Sequence, residues 1–337
     1  MKKKIHILLL IMPVLLAACK LGIIGAPDLS PDEGTTAETV GDAEAGEFLQ
    51  GSGQEALVYL EELTGIGPRL PGSAEEEQAA IFIQDALQEM GYETERQAFS
   101  FWNEYDEEMA SSNIITVKVG LSSQTIIMGA HYDSSDEALG ADDNASGVAV
   151  MMEVARLIAG TQTDYTVVFI AFGAEENDLD GSWNYVDQMD DSEVNDTVAM
   201  INLDSLAAGN AAYVYGSPEP GSLWNWVVQD VEMTGLDLVG IPEQELDEGG
   251  IACECSDYSP FQEAGIPILY FESTDWELGE QDGMTQVDPQ FGEEGEIRHT
   301  MYDTVDYIES TFPGRIQENL ELYVNLLYDI ITQYDGR

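Results

Sequence analysis

Bases are scarce in this sequence: 11 Lys and Arg stand against 65 Asp and Glu in 337 residues, a formal net charge of −54. That balance excludes nucleic acid and anionic lipid surfaces as electrostatic partners, because both require a cationic footprint. Histidine is rarer still, with three in the chain. His6 falls in a segment expected to be removed, which leaves His131 and His299, both close to carboxylates. Such sparing use suits ligand duty, since neutral imidazole is the commonest metal ligand. There are also three cysteines, Cys19, Cys253 and Cys255. The apolar run at residues 5–16 is too short to span a bilayer, and no internal repeat is visible.

That run is instead the middle of an address. Lys2, Lys3 and Lys4 precede it, and Leu16-Ala17-Ala18-Cys19 ends it in a pattern that resembles a bacterial lipobox. The resemblance implies a lipoprotein signal peptide over residues 1–18, cleavage before Cys19, lipidation of the Cys19 thiol, and export to the cell envelope. Cleavage would remove three of the 11 bases and no acid. Residues 19–53 then read as an acidic tether, rich in small residues and without a dense apolar face. A flexible chain of that length spans about 30 Å on average.

The folded part is expected over residues 54–337, large enough and apolar enough, at 44% hydrophobic, for one catalytic domain. Ala56, Leu57, Tyr59, Leu60 and Leu63 recur at helical spacing, and the glycines and prolines of residues 65–72 end that helix. Ser73 followed by Glu76 predicts a capping box for a second helix running to Gly91. Strands are predicted over residues 93–101, 113–119 and 125–129. Beyond a helix at 148–158, strands at 166–172, 198–203 and 212–215 alternate with helices at 182–189 and 222–233, and a last helix begins near Pro313. Alternation of this kind predicts an α/β fold with a largely parallel central sheet covered by helices on both faces.

Open α/β sheets keep their sites at the carboxyl ends of strands. The run 125–129 delivers His131 and Asp133 there, and Asp142 and Asp143 follow in the turn entering the next helix. Two further strands end in acid, one running into Glu175 and Glu176, the other into Asp204. A polar turn, Arg298-His299-Thr300-Met301-Tyr302-Asp303-Thr304, precedes the C-terminal helix. One imidazole with converging carboxylates is suited to a metal, whereas each acid alone is also ordinary solvated surface in so acidic a chain.

In order, His131-Tyr132-Asp133, Gly140-Ala141-Asp142-Asp143-Asn144-Ala145-Ser146-Gly147, Ala174-Glu175-Glu176, Asn202-Leu203-Asp204 and His299-Thr300-x-x-Asp303-Thr304 resemble the signatures of metallopeptidase family twenty-eight, the co-catalytic zinc aminopeptidases and their relatives. Gly67-Pro68-Arg69 and Pro71-Gly72-Ser73 extend the likeness. Ser256-Asp257-Tyr258 and the stretch 271–286 look most like alkaline phosphatase isozyme conversion aminopeptidases. The resemblance implies two zinc ions, with Asp143 bridging, His131 and Asp204 completing one site, and Glu176 and His299 the other. It further implies hydrolysis of the bond after the N-terminal residue of peptides or proteins by metal-activated water, with Glu175 as general base and a cis peptide at Asp143-Asn144. Asp133 is placed to accept the second ring proton of His131.

Other readings stand beside this one. A glutaminyl-cyclase-like acyltransferase shares the ancestry, although this chain keeps both sets of ligands. A carboxypeptidase or dipeptidase wants bases to clamp a substrate carboxylate, and a noncatalytic receptor-like domain would have lost ligands. Several family members place an oxyanion-stabilising tyrosine just before the last histidine. Arg298 occupies that position here, either as the donor or as a surface arginine. Cys253 and Cys255 suit a local disulfide or free thiols, and Ser256 and Asp257 read as part of a loop over the pocket.

Overall fold

The computed structural model describes residues 49, 51–135, 138–242, 256–274 and 297–336. The signal segment, Cys19, nearly all of the tether, and Cys253 and Cys255 lie outside them, as does most of the 271–286 stretch. Among the described residues no helix is long and apolar enough to cross a membrane.

Helix α1 covers Ser52–Ile66 and α2 Ala74–Glu89. Strands β1 (Thr94–Trp102), β2 (Glu108–Lys118) and β3 (Thr125–His131) follow, then an irregular turn, Ala141–Ser146, and α3 (Gly147–Ile158). Next come β4 (Thr166–Phe172), α4 (Asp180–Val186), α5 (Asp191–Asp196), β5 (Thr197–Leu203), β6 (Ala211–Gly216), α6 (Leu223–Thr234) and β7 (Leu238–Pro242). The chain closes with α7 (Tyr258–Glu263), β8 (Ile268–Thr274), α8 (Val305–Thr311) and α9 (Arg315–Gln333).

Among the described residues eight strands form one sheet in the order β1-β2-β4-β3-β5-β8-β6-β7. The centre, β4-β3-β5-β8, is parallel, as the alternating pattern predicts. The flanks are not: β1 with β2, β2 with β4, and β8 with β6 run antiparallel, which makes the sheet mixed. A hairpin explains the first of these, since β1 and β2 are joined by a short turn that only antiparallel strands can use.

The central strands are buried on both faces, so their sequences are continuous apolar runs. Alternate residues divide between two cores. Ile126, Met128, Val167, Phe169, Ala199 and Ile201 face α1, α2, α3, α6 and α9. Ile127, Ile170, Phe172, Met200 and Tyr270 face α4, α5 and α7. The start of α1 is stitched to the middle of α9: Leu49 N donates to Asn325 Oδ1, and Asn325 Nδ2 donates to Ser52 Oγ at 3.1 Å. Gly53 is required at this crossing, because a Cβ there would meet Gln317 O at 2.5 Å.

Candidate metal centre

Because β4, β3 and β5 are parallel neighbours, their carboxyl ends bring three acids and one histidine to one edge. His131 is the last residue of β3, Glu175 and Glu176 follow β4, and Asp204 follows β5. Asp143 arrives from the turn after β3, and His299 from the segment before α8.

Distances tie these groups together. His131 Nε2 lies 3.1 Å from Asp143 Oδ1, 3.7 Å from Asp204 Oδ1 and 3.9 Å from Glu175 Oε2. His299 Nε2 lies 3.0 Å from Asp143 Oδ2 and 3.2 Å from Glu176 Oε2. One carboxylate, Asp143, therefore turns one oxygen toward each histidine. Ligand atoms about 2.1 Å from a tetrahedral zinc sit about 3.4 Å from one another, so these separations match a shared cation. Both ring nitrogens of His131, both oxygens of Asp143 and Glu176 Oε1 are buried without a well-aligned hydrogen-bond partner, so the cluster has ligand atoms to spare for a cation. The donor set of imidazole and carboxylate fits zinc.

The electrostatics agree. Burial opposes protonation of His131, but Glu175, Asp133, Asp143 and Asp204 raise its proton affinity well above the usual imidazole range. Asp143 and Glu176 push His299 up to about 10. A site that draws protons so strongly draws divalent cations by the same field. Burial raises Glu175 well above the usual carboxylate range, with Asp257, Asp204 and Glu176 adding to the effect against His131. Burial likewise acts on Asp143, where Arg298 and the two histidines overcome it and hold the carboxyl low.

Second partners build the frame around these groups. Arg69 is wholly buried and donates to three carbonyls of the loop between His131 and Asp143: Tyr132 O at 2.7 Å, Leu139 O at 2.7 Å and Gly140 O at 3.1 Å. Asp303 accepts Asp142 N at 2.6 Å and Asp143 N at 3.1 Å. Asp142 Oδ1 in turn accepts Ala207 N and Ala208 N, joining the loop to the segment after Asp204. Asn144 Nδ2 donates to Leu203 O at 2.8 Å, and Gly147 permits this approach, since its Cβ would meet Leu203 O at 2.5 Å. The Asp143-Asn144 peptide is cis. Ser256 Oγ donates to Asp204 Oδ2 at 2.8 Å and itself accepts Asn202 Nδ2.

Asp133 faces His131 as expected, with Oδ1 3.6 Å from Nδ1 and raising the proton affinity of the imidazole, and its two oxygens also accept Glu175 N at 3.1 Å and Glu176 N at 3.0 Å. Arg298 is not a surface residue: its Nε lies 3.0 Å from Asp143 Oδ2 and its side chain is largely buried. Ser256 and Asp257 are buried just before α7, with Ser256 against Asp204, while residues 243–255 of the expected loop lie outside the described residues. The Ser73-Glu76 capping box is half made. Ser73 Oγ accepts Glu76 N at 3.0 Å, but the Glu76 carboxylate turns away from Ser73 and accepts Gly72 N at 2.6 Å, Ser111 Oγ at 2.6 Å and Ala174 N at 3.1 Å.

The model of peptidase family M28 matches residues 113–324, more than half of the chain. The chain belongs to peptidase family M28. Among its relatives, the alkaline phosphatase isozyme conversion protein of Escherichia coli is 28% identical over 79% of this chain and 85% of its own length. Aminopeptidase YwaD of Bacillus subtilis is 32% identical over 66% of this chain, which spans 45% of YwaD. The fold is that of the solved zinc aminopeptidase BSAP from Bacillus subtilis, with a TM-score of 0.67 and 20% identity over 85% of this chain and 96% of that one. In this M28 chain the residues that the ordered motifs single out, His131, Asp143, Glu175, Glu176, Asp204 and His299, converge on one edge of the sheet. Asp303, Asp142, Arg69 and Ser256 stand in the same motifs, and only the fold shows what each one holds.

Proposed function

We propose that the domain removes the N-terminal residue of peptides or proteins by hydrolysis assisted by two zinc ions. The observation that carries this reading is Asp143, whose two oxygens face His131 at 3.1 Å and His299 at 3.0 Å. His131 and Asp204 would hold one ion, Glu176 and His299 the other, with Asp143 between them. When bound, such a pair supplies Lewis acidity toward the scissile carbonyl and lowers the pKa of water.

The protein's own part is proton transfer and orientation. Glu175 takes a proton from the attacking water and returns it to the leaving amine, as a carboxyl whose pKa burial has raised is suited to do. His131, Glu175 and Asp204 also lie close enough together to hold an ion, which favours a second reading of Glu175 as a ligand. The base role is preferred because Asp143 and Asp204 both approach His131 Nε2 more closely than Glu175 does.

Two variants decide between these roles. Glu175→Gln keeps both metals and loses about 100- to 10,000-fold in turnover, the usual range for a general base, whereas Glu176→Gln loses metal. Metal analysis beside steady-state kinetics reads both, and the reverse pattern would exchange base and ligand. Exopeptidase polarity is read from a peptide library with free or acetylated amino ends: cleavage of acetylated members would remove the aminopeptidase reading. Export and anchoring through Cys19 are part of the same proposal, supported by the lipobox-like ending at residues 16–19. Mass spectrometry of the amino-terminal fragment of the mature protein tests it, with an unmodified Cys19 thiol as the contrary result.

A further inference from the structure

The turn that carries Glu175 is held from behind by side chains. Four consecutive N–H groups are taken up there: Gly173 N by Asn113 Oδ1 at 3.2 Å, Ala174 N by Glu76 Oε1 at 3.1 Å, and Glu175 N and Glu176 N by Asp133. Ala174 has φ 55, the left-handed region that a residue with a Cβ seldom adopts, and it is fully buried. Such a conformation persists only where its surroundings over-determine it. Asp133 holds the two residues after Ala174, and Glu76 holds Ala174 itself.

We propose that Glu76 is a positioning residue for hydrolysis: by accepting Ala174 N it fixes the left-handed turn that aims the Glu175 carboxylate. The proposal rests on Glu175 being the general base. Glu76 comes from the first turn of α2, 98 positions away in sequence, and is 2% exposed. Its other contacts show why it can serve as a fixed point. Gly72 N holds Oε2, Ser111 Oγ on β2 holds Oε1, and Ser73 caps the helix one turn below. A carboxylate held by two donors besides Ala174 N, one in the loop before α2 and one on β2, does not swing, so the turn it anchors inherits its position. The contact sits one residue from Glu175, and misplacing a reacting group by about 1 Å can cost about 100-fold.

The test is a double-mutant cycle on the zinc-loaded protein, with an aminoacyl chromogenic substrate. Glu76→Ala should lower kcat by about 10- to 100-fold, with KM and zinc content unchanged. Glu76→Gln, which keeps one acceptor oxygen, should restore part of that loss. In a Glu175→Gln background, Glu76→Ala should lower the residual rate by less than about twofold, because a residue acting through the base has nothing left to aim. A Glu76→Ala protein with unchanged kcat, with lost zinc, or with the same loss in both backgrounds would overturn the positioning role. Should Glu76→Ala not fold, the cycle with Glu76→Gln reads the same coupling. Wild-type turnover in Glu175→Gln alone would instead overturn the base assignment.

Discussion

At the scale of single residues, the site depends on one carboxylate serving two sides. Asp143→Asn keeps the shape but replaces one oxygen with an amide that donates rather than accepts. Metal content of the variant should therefore fall below that of the parent, and turnover should drop by about 1,000-fold or more, the scale of several kcal/mol of metal assistance. Elemental analysis paired with kinetics checks it; full metal content with normal turnover would rule out a bridging role. How much of this was legible depends on the residue. His131, Glu175, Glu176 and Asp204 stand where strands visibly end, so their convergence follows from parallel pairing, whereas Asp143 and His299 come in on connecting segments and are legible only through the ordered motifs. Glu76 and Asp303 do not announce themselves, because their roles exist only after closure across 98 and 161 positions. In the sequence Glu76 fits a capping box, a local role that fold closure overrides. Asp133 is legible in part: proximity to His131 along the chain suggests the imidazole, which it faces, but not the backbone of Glu175 and Glu176, which its oxygens also accept.

Among the elements, β3, β4 and β5 are readable because strands buried on both faces have no polar alternation to interrupt them. Strand β8 is not, since Glu272 lies within it and marks an exposed position by any sequence rule. In the fold Glu272 is buried and accepts the hydroxyls of Tyr215 and Tyr270. The short β7, α5 and α7 carry too few residues for periodicity to reveal them. Helix packing supplies a separate prediction. Burial, and then Asp230 of α6, push the Asp329 carboxyl of α9 up to about 6 from an ordinary 3.8. An acid with a raised folded pKa binds its proton more tightly when folded, so its ionisation costs stability as pH climbs from about 4 through 6. Asp329→Asn removes that cost. Melting temperature should rise at pH 7.5 relative to the parent, and the gain should fade as pH falls toward 4; a gain independent of pH would reject the linkage.

For the whole molecule, the acid excess sets the behaviour. Among the described helices only α3 has a base in its last turn, so helix C-termini go largely without the cations that favour them. Self-repulsion at low ionic strength should make melting temperature rise as sodium chloride increases from about 0.01 M to 1 M. A negative cleft should also concentrate cationic peptides, so the rate at low substrate for an arginyl substrate should fall with salt relative to a leucyl one. A constant ratio across the series would exclude steering. The stitch between Leu49 and Asn325 has a mechanical consequence under the proposed anchoring. A pull on the chain at Leu49 would pass along the backbone into α1 and, through Asn325, be shared with α9. Helices α1 and α9 pack on one face of the sheet, whereas the candidate metal-binding side chains gather at the carboxyl edge of β3, β4 and β5. Such a pull would thus strain the helical layer first, and it would reach the site through the turn carrying Asp143, against which α1 packs, before it disturbed the strand ends at His131 and Asp204.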